Sequence, residues 1–100
     1  PEQIAILPVS DKYNEAAKEL LSFLNNSDIR GFVDERSERV SKKIRDAEVK
    51  KVPYMIVLGE QETTTGSVSA RKHGEGELER MTNFEFVEYI NKELENDLKK

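Results

Sequence analysis

Three short apolar runs, separated by amphipathic segments, constrain most strongly what this chain can fold into. The runs are Gln3–Val9, Ile29–Asp34 and Val52–Gly59. Continuous apolar runs of this length are typical of strands that are covered on both faces of a sheet. The segments between them carry apolar residues at helical spacing. The sequence therefore predicts strand, helix, strand, helix and strand in that order.

Helical periodicity occurs in three segments. The apolar stripes are Tyr13, Ala17, Leu20 and Leu24; Val40, Ile44 and Ala47; and Phe86, Ile90, Leu94 and Leu98. Ser10 or Asp11 is expected to cap the first helix, and Ser37 the second, which is predicted to run to about Lys51. Thr82 with Glu85 predicts a capping box at the start of the third.

The second half of the chain adds shorter elements. Ser67–Lys72 alternates polar and apolar residues and predicts a strand, and Leu78–Met81 predicts a short edge strand. Glu60–Gly66 is interpreted as a polar loop and His73–Glu77 as a glycine-rich turn. The resulting order predicts one domain over residues 1–100, a three-layer α/β fold with a mixed, mostly parallel sheet.

Composition excludes several kinds of protein and of site. The chain has no cysteine, so a disulfide framework, a thiolate metal site and a cysteine nucleophile are excluded. No apolar run reaches the ~18 residues of a membrane helix, and no signal-peptide pattern is present. The single histidine, His73, has no second histidine to form a metal pair and is interpreted as a solvated turn residue. Because phosphate-loop and dinucleotide motifs are also missing, we expect neither a catalytic centre nor a metal site.

The net charge of −4 conceals a positive segment. Residues 30–51 hold 8 basic and 5 acidic side chains, a balance of +3 between acidic flanks. Arg39, Lys42, Lys43 and Lys50 are predicted on the exposed face of the second helix, with Arg45 on its flank. Such a segment is either a local surface for an anionic partner or a solvated helix face.

Two motifs carry a resemblance to a known family. One is Lys43-Ile44-Arg45-x-Ala47, which is followed by Lys51-Val52-Pro53-Tyr54-Met55. The other is Gly59-x-x-Glu62, which is followed by Gly66-x-Val68-x-x-Arg71. The chain resembles the C-terminal anticodon-binding domain of threonyl-tRNA synthetase, a member of the class II aminoacyl-tRNA synthetase anticodon-binding domain family. The resemblance covers nearly the whole chain.

The resemblance implies a fold and a set of base-contacting residues. The fold is an α/β/α domain with a mixed five-stranded sheet, and the function is recognition of the anticodon of threonine tRNA. The family's base-contacting residues fall on Arg45, Glu62 and Arg71. Its asparagine falls on Ser37, a departure, since a hydroxyl cannot span the base edge that an amide spans. Arginine forks suit acceptor edges of guanine or uracil, and a glutamate suits their N–H donors.

Each of these residues also has a purely structural interpretation. Arg45 can pair with Glu48 within its helix, and Arg71 can be a cross-strand surface charge. Ser37 can be a plain helix cap, and Glu62 in a polar loop can simply be solvated. The cations expected to contact phosphates rather than bases are Arg39, Lys42, Lys43 and Lys51.

The resemblance also implies properties of a longer parent protein. The parent would be a cytoplasmic, homodimeric threonine–tRNA ligase that uses ATP, magnesium and a zinc ion in a separate N-terminal catalytic domain. This domain would be a C-terminal, non-catalytic, cofactor-free monomer with tRNA as its partner. Two alternatives remain open: a protein-interaction module or accessory subunit on the same fold, and a small flavodoxin-like enzyme with a pocket at the strand ends.

Overall fold

In a computed structural model, residues 2–98 are described and form four helices and six short strands. In chain order the elements are β1 (Ile4–Pro8), α1 (Asn14–Asn26, after a 3₁₀ turn at Asp11–Tyr13), β2 (Gly31–Val33), α2 (Val40–Val49), β3 (Tyr54–Leu58), α3 (Glu60–Thr65), β4 (Ser67–Lys72), β5 (Gly76–Glu77), β6 (Met81–Thr82) and α4 (Asn83–Leu98). None of the helices in residues 2–98 is long and apolar enough to span a membrane.

The sheet has the strand order β2-β1-β3-β4-β5, and β6 also pairs with β4. The α/β class and the mixed sheet are confirmed, and the main strand order has the five expected strands, to which β6 is added; the expectation of mostly parallel pairing was wrong. β1 is parallel to β2 and β3, whereas the other three of the five pairings are antiparallel. The reason is connection length, because the links after β3 and β4 are too short for the crossover that a parallel pair needs.

The edge strand beside β4 is interrupted by a β-bulge. Arg71 pairs with Glu77, and Val68 pairs with Met81. Between these pairs β4 contributes residues 69–70 and the edge contributes residues 78–80, so the edge holds one extra residue. Of the predicted strand Leu78–Met81, only Met81 is in a strand, β6, and residues 78–80, with Arg80 among them, form the bulge. β5 lies in the segment His73–Glu77 that was expected to be a turn.

Helices cover both faces of the sheet, which confirms the three layers. The crossover through α1 leads from β1 to β2, and the crossover through α2 leads back from β2 past β1 to β3. Because the two right-handed crossovers run in opposite directions, the two helices lie on opposite faces. Residues of α1, α4 and the sheet form the larger core: Ile4, Ile6, Ala17, Leu20, Leu24, Ile56, Val68, Phe86 and Ile90, among others. The smaller core under α2 comprises Ala5, Leu7, Ala47, Val52 and Met55. Of the last predicted stripe, Leu94 and Leu98 fall outside the residues whose side chains are described.

Gly31 is required by the close approach of β2 to β1. A Cβ atom at this position would lie 2.6 Å from the carbonyl oxygen of Ile4, its partner in the parallel register. The residue that weakens the strand propensity of Ile29–Asp34 is therefore the one that permits the pairing.

Helix ends follow the sequence in one case and depart from it in three. Neither Ser10 nor Asp11 caps α1, since α1 begins after Tyr13 and no side-chain cap hydrogen bond is formed there. The α4 capping box is confirmed, since Glu85 N–H donates to Thr82 Oγ1 (3.1 Å) and Thr82 N–H to Glu85 Oε1 (2.8 Å). Ser37 does not cap α2, which begins at Val40; the Ser37 hydroxyl instead donates to the Asp11 carboxylate at 3.1 Å. The segment Glu60–Gly66 is not a loop, because most of it forms α3.

Candidate functional site

A groove lies on the α2 face of the sheet, beside the part of β4 that α2 leaves uncovered. Its volume is about 500 Å³. Ile44 of α2 and Val57 of β3 line one side, and the bulged edge lines the other. The polar residues that line it are Ser69, Arg71, Glu77 and Arg80.

Glu62 lies beside this groove with a carboxylate that is already held by three donors. Oε1 accepts the Gly59 N–H (2.8 Å), and Oε2 accepts the Ser69 hydroxyl (2.8 Å) and Arg80 Nη1 (3.1 Å). The side chain is only 10% exposed. Burial acts to raise the pKa of the Glu62 carboxyl, but the hydrogen bonds and the Arg80 charge outweigh it and lower the pKa below its ordinary value. Glu62 is therefore a fixed, ionised acceptor and not a solvated loop residue.

Arg71 has a cross-strand partner that leaves much of its donor capacity unused. Its Nη1 lies 3.3 Å from Oε1 of Glu77, the residue opposite it in the antiparallel register. Because the Glu77 side chain is 81% exposed, this ion pair contributes little stability. The Arg71 Nε is buried and has no hydrogen-bond partner among residues 2–98. A ligand that accepts hydrogen bonds could use the guanidinium N–H groups that Glu77 does not bind.

Arg45 is exposed on α2, one residue after Ile44, but it is not among the residues that line the groove. It lies about 100° around the helix from Ile44 and about 60° from Glu48. Within the described part of the chain, Arg45 makes no hydrogen bond or ion pair. The anticipated pair with Glu48 is not formed, because the Glu48 carboxylate lies 3.7 Å from Nε2 of His73. His73 is thus a half-buried contact between the β4–β5 turn and α2, and not a solvated turn residue.

Ser37 and the expected phosphate-contacting cations lie outside the groove lining. Ser37 is exposed at the carboxyl end of the parallel strands. Arg39, Lys42 and Lys51 are exposed along α2 and its ends, with Lys42 3.7 Å from Glu38. Lys43 was wrongly placed on this exposed face, since it is 1% exposed and its ammonium donates to the Pro8 carbonyl at 2.9 Å.

Two contributors to the site were not singled out in the sequence. Arg80 binds Glu62, and Ser69 donates to the same carboxylate from β4. The alternation of Ser67–Lys72 could have placed Ser69 on the same face as Arg71. No sequence signal marks Arg80, because its position depends on the bulge. Within residues 2–98, no group of three or more His, Asp and Glu side chains is arranged to hold a metal ion.

The chemistry of the groove suits a flat, polar ligand. Guanidinium donors of Arg71 and Arg45 and the fixed acceptor of Glu62 can hydrogen-bond a planar group that carries both acceptors and donors on its edge. These features define an α/β/α recognition domain with a polar groove. A family model described as "Anticodon binding domain" matches residues 3–93. The chain belongs to the anticodon-binding domain family, as the sequence motifs indicated.

Within this family, the chain is similar to threonine–tRNA ligases. The threonine–tRNA ligase of Cytophaga hutchinsonii is 48% identical over 98% of this chain, and that of Bacteroides fragilis is 45% identical over 100%. The chain spans only 15–16% of the length of these relatives. Among solved structures, the RNA binding domain of threonyl-tRNA synthetase from Cryptosporidium parvum superposes with a TM-score of 0.86 at 26% identity, over 92% of this chain and 23% of that chain. Prolyl-tRNA synthetase of the same organism shares the fold, with a TM-score of 0.84 at 22% identity, over 96% of this chain and 21% of that chain.

Proposed function

We propose that this domain recognises anticodon bases of threonine tRNA as part of a longer threonine–tRNA ligase. The observation that carries the proposal is the groove that brings Glu62 and Arg71 to one face of β4, in a chain with more than 40% identity to threonine–tRNA ligases over nearly its whole length. Specific RNA recognition typically targets unstacked loop bases through hydrogen bonds to their edges, and an anticodon loop supplies such bases.

In this proposal each groove residue has its own role. Arg71 donates to an acceptor edge such as guanine O6 and N7 or uracil O4 through guanidinium N–H groups that Glu77 leaves unused. Glu62 accepts a guanine or uracil N–H on the Oε1 lone pair that Gly59 leaves unused. Arg45 contacts the base or sugar at the outer side of the groove, where no protein partner among residues 2–98 competes for it.

Ser37 is proposed as a further base contact at the carboxyl end of the sheet. Its proton is directed to Asp11, so its oxygen is left as a hydrogen-bond acceptor. The site would then favour a base with an N–H donor at that point. An asparagine, which offers a donor and an acceptor on separate atoms, would have no such restriction.

The phosphate contacts are proposed to come from Arg39, Lys42 and Lys51, which are exposed. Lys43 is excluded from the phosphate contacts, because its ammonium is buried against Pro8. Contacts to phosphates fix the orientation of an RNA and add affinity that is independent of sequence.

We also propose the domain organisation, cofactors, oligomeric state and location of the longer protein. Residues 1–100 would form one non-catalytic domain, and a separate domain would attach threonine to tRNA with ATP, magnesium and zinc. The longer protein would act as a homodimer in the cytoplasm. The names of the relatives, and the small share of their length that this chain spans, support this arrangement.

A titration with anticodon stem-loops tests the proposal. The domain should bind a threonine anticodon stem-loop, and Arg45→Ala should weaken binding by about 1–3 kcal/mol, the range of a lost base contact. Arg30→Ala is the matched control, because it removes the same charge from an exposed position outside the groove. Equal binding to threonine and unrelated anticodons would contradict base recognition.

A further inference from the structure

We infer that Arg80 is a positioning residue for base recognition: it holds Oε2 of Glu62 and thereby fixes the orientation of the carboxylate that a base would contact. The inference rests on the proposed function and assigns a role to a residue that the sequence motifs leave out. It is carried by the bulge, by the contacts of Arg80, and by the way the Glu62 lone pairs are used.

The acceptor sites of Glu62 are divided unequally between its two oxygens. Oε2 accepts both the Ser69 hydroxyl and Arg80 Nη1, which uses both of its lone pairs. Within residues 2–98, Oε1 accepts one bond, from the Gly59 N–H. The contacts of residues 2–98 therefore leave one lone pair of the carboxylate without a donor, in a direction that the other three bonds fix.

Arg80 is held from two elements and is well suited to fix Glu62. Its Nη2 donates to Gln61 Oε1 of α3 at 3.2 Å, and its Nη1 lies 3.4 Å from Ser67 Oγ of β4. These contacts and the one to Glu62 use three of its N–H groups. The extra residue of the bulge places Arg80 where it can make all three contacts while it lines the groove.

Loss of Arg80 would change selectivity rather than remove the site. Gly59 and Ser69 would still hold the carboxylate, so the domain should fold. A lone pair on Oε2 would become available, and the carboxylate would accept N–H donors in two directions instead of one. Base selectivity should then fall more than overall affinity, because selectivity depends on penalising the wrong donor pattern.

The test uses Arg80→Ala and Arg80→Lys, with Arg30→Ala as the control for loss of one positive charge. The first measurement is the Glu62 carboxyl pKa in the free protein, from side-chain ¹³C chemical shifts over a pH series. Arg80→Ala should raise this pKa, Arg80→Lys should raise it less, and Arg30→Ala should leave it unchanged. Amide NMR spectra confirm that each variant is folded.

The second measurement is the Kd for a loop with one anticodon base replaced divided by the Kd for the threonine anticodon stem-loop, a ratio that is larger when the domain is more selective. Arg80→Ala should reduce this ratio by about tenfold, the size expected for one lost charge-assisted hydrogen bond. An unchanged Glu62 pKa in Arg80→Ala would overturn the inference. Equal weakening of both loops would also overturn it, because that result identifies a phosphate contact.

The failure of the proposed function would look different from the failure of this inference. If the wild-type domain bound both loops equally, the proposed function would fail, and the base-recognition role of Arg80 would be overturned with it. The Glu62 pKa, measured without RNA, would in that case still report whether Arg80 holds the carboxylate.

Discussion

At the scale of single residues, two charged side chains are found where their sequence context does not place them. Lys43 is buried because its aliphatic stem lies along the α2 core while its ammonium reaches the Pro8 carbonyl. Glu62 is buried because donors from three segments converge on its carboxylate. Helical spacing and local polarity predict neither outcome, since Pro8 is 35 residues from Lys43 and Arg80 is 18 residues from Glu62.

Replacement of Glu62 by glutamine should show how much the fixed carboxylate contributes to the stability of the domain. We expect Glu62→Gln to lower the free energy of unfolding at neutral pH by about 1–3 kcal/mol, because one of the two accepting oxygens becomes an NH₂ group that faces a donor instead. Glu88→Gln, at an exposed position of α4, should have no measurable effect. Urea denaturation at pH 7 measures both.

The same variant should show a defined pH dependence. The pKa of Glu62 is lowered in the folded state, so its stabilising contribution is present above the unfolded pKa and is lost as the pH falls through the folded value. The difference in stability between wild type and Glu62→Gln should therefore shrink in acid. A difference that stayed constant from neutral pH to about pH 2.5 would contradict the linkage.

At the scale of elements, α4 and α3 both have a glutamate at the third helical position that accepts a backbone N–H, but only α4 was predicted from the sequence. Thr82 with Glu85 marks α4 clearly. In α3, Glu62 at the third helical position accepts the Gly59 N–H, and Gly66 ends the helix with φ of 67°. The threonine-rich sequence between them has low helix propensity and favours the loop interpretation. Contacts from Ser69 and Arg80 to Glu62 add the stability that local propensity lacks.

Removal of the α4 cap should have a small, local cost. Thr82→Ala removes the acceptor of the Glu85 N–H and should destabilise the domain by about 1 kcal/mol. Thr64→Ala, at an exposed position of α3, should be neutral or slightly stabilising, since alanine is the better helix former. Thermal unfolding measures both, and equal destabilisation by the two changes would argue against the capping box.

At the scale of the whole molecule, the groove depends on the strand order and on the distribution of charge more than on the overall composition. The apolar runs predict the three layers, but they do not give the order β2-β1-β3-β4-β5 that leaves β4 beside an uncovered groove. The short connections after β3 and β4 favour antiparallel pairing of these strands with their neighbours. The net charge of −4 conceals an uneven distribution of charge. Residues 30–51 carry +3, and they include α2, which borders the groove.

Local positive charge should make RNA binding dependent on salt in spite of the net negative charge. In a plot of log K against log salt concentration, Lys42→Ala should reduce the slope by about 0.7, the value for one contact to single-stranded phosphate. It should weaken threonine and unrelated loops equally. Lys92→Ala, an exposed position on α4 across the sheet, should leave the slope unchanged; equal slopes for all three proteins would exclude Lys42 as a phosphate contact.

The central claim is that the groove beside β4 recognises anticodon bases. Its most direct test is the Kd ratio for two stem-loops that differ only in their three anticodon bases, one set being that of threonine tRNA. The wild-type domain and Arg30→Ala should prefer the threonine loop, and Arg71→Ala should lose about 1–3 kcal/mol of that preference. A preference that survives unchanged in Arg71→Ala, or that is missing in the wild-type domain, would contradict the claim.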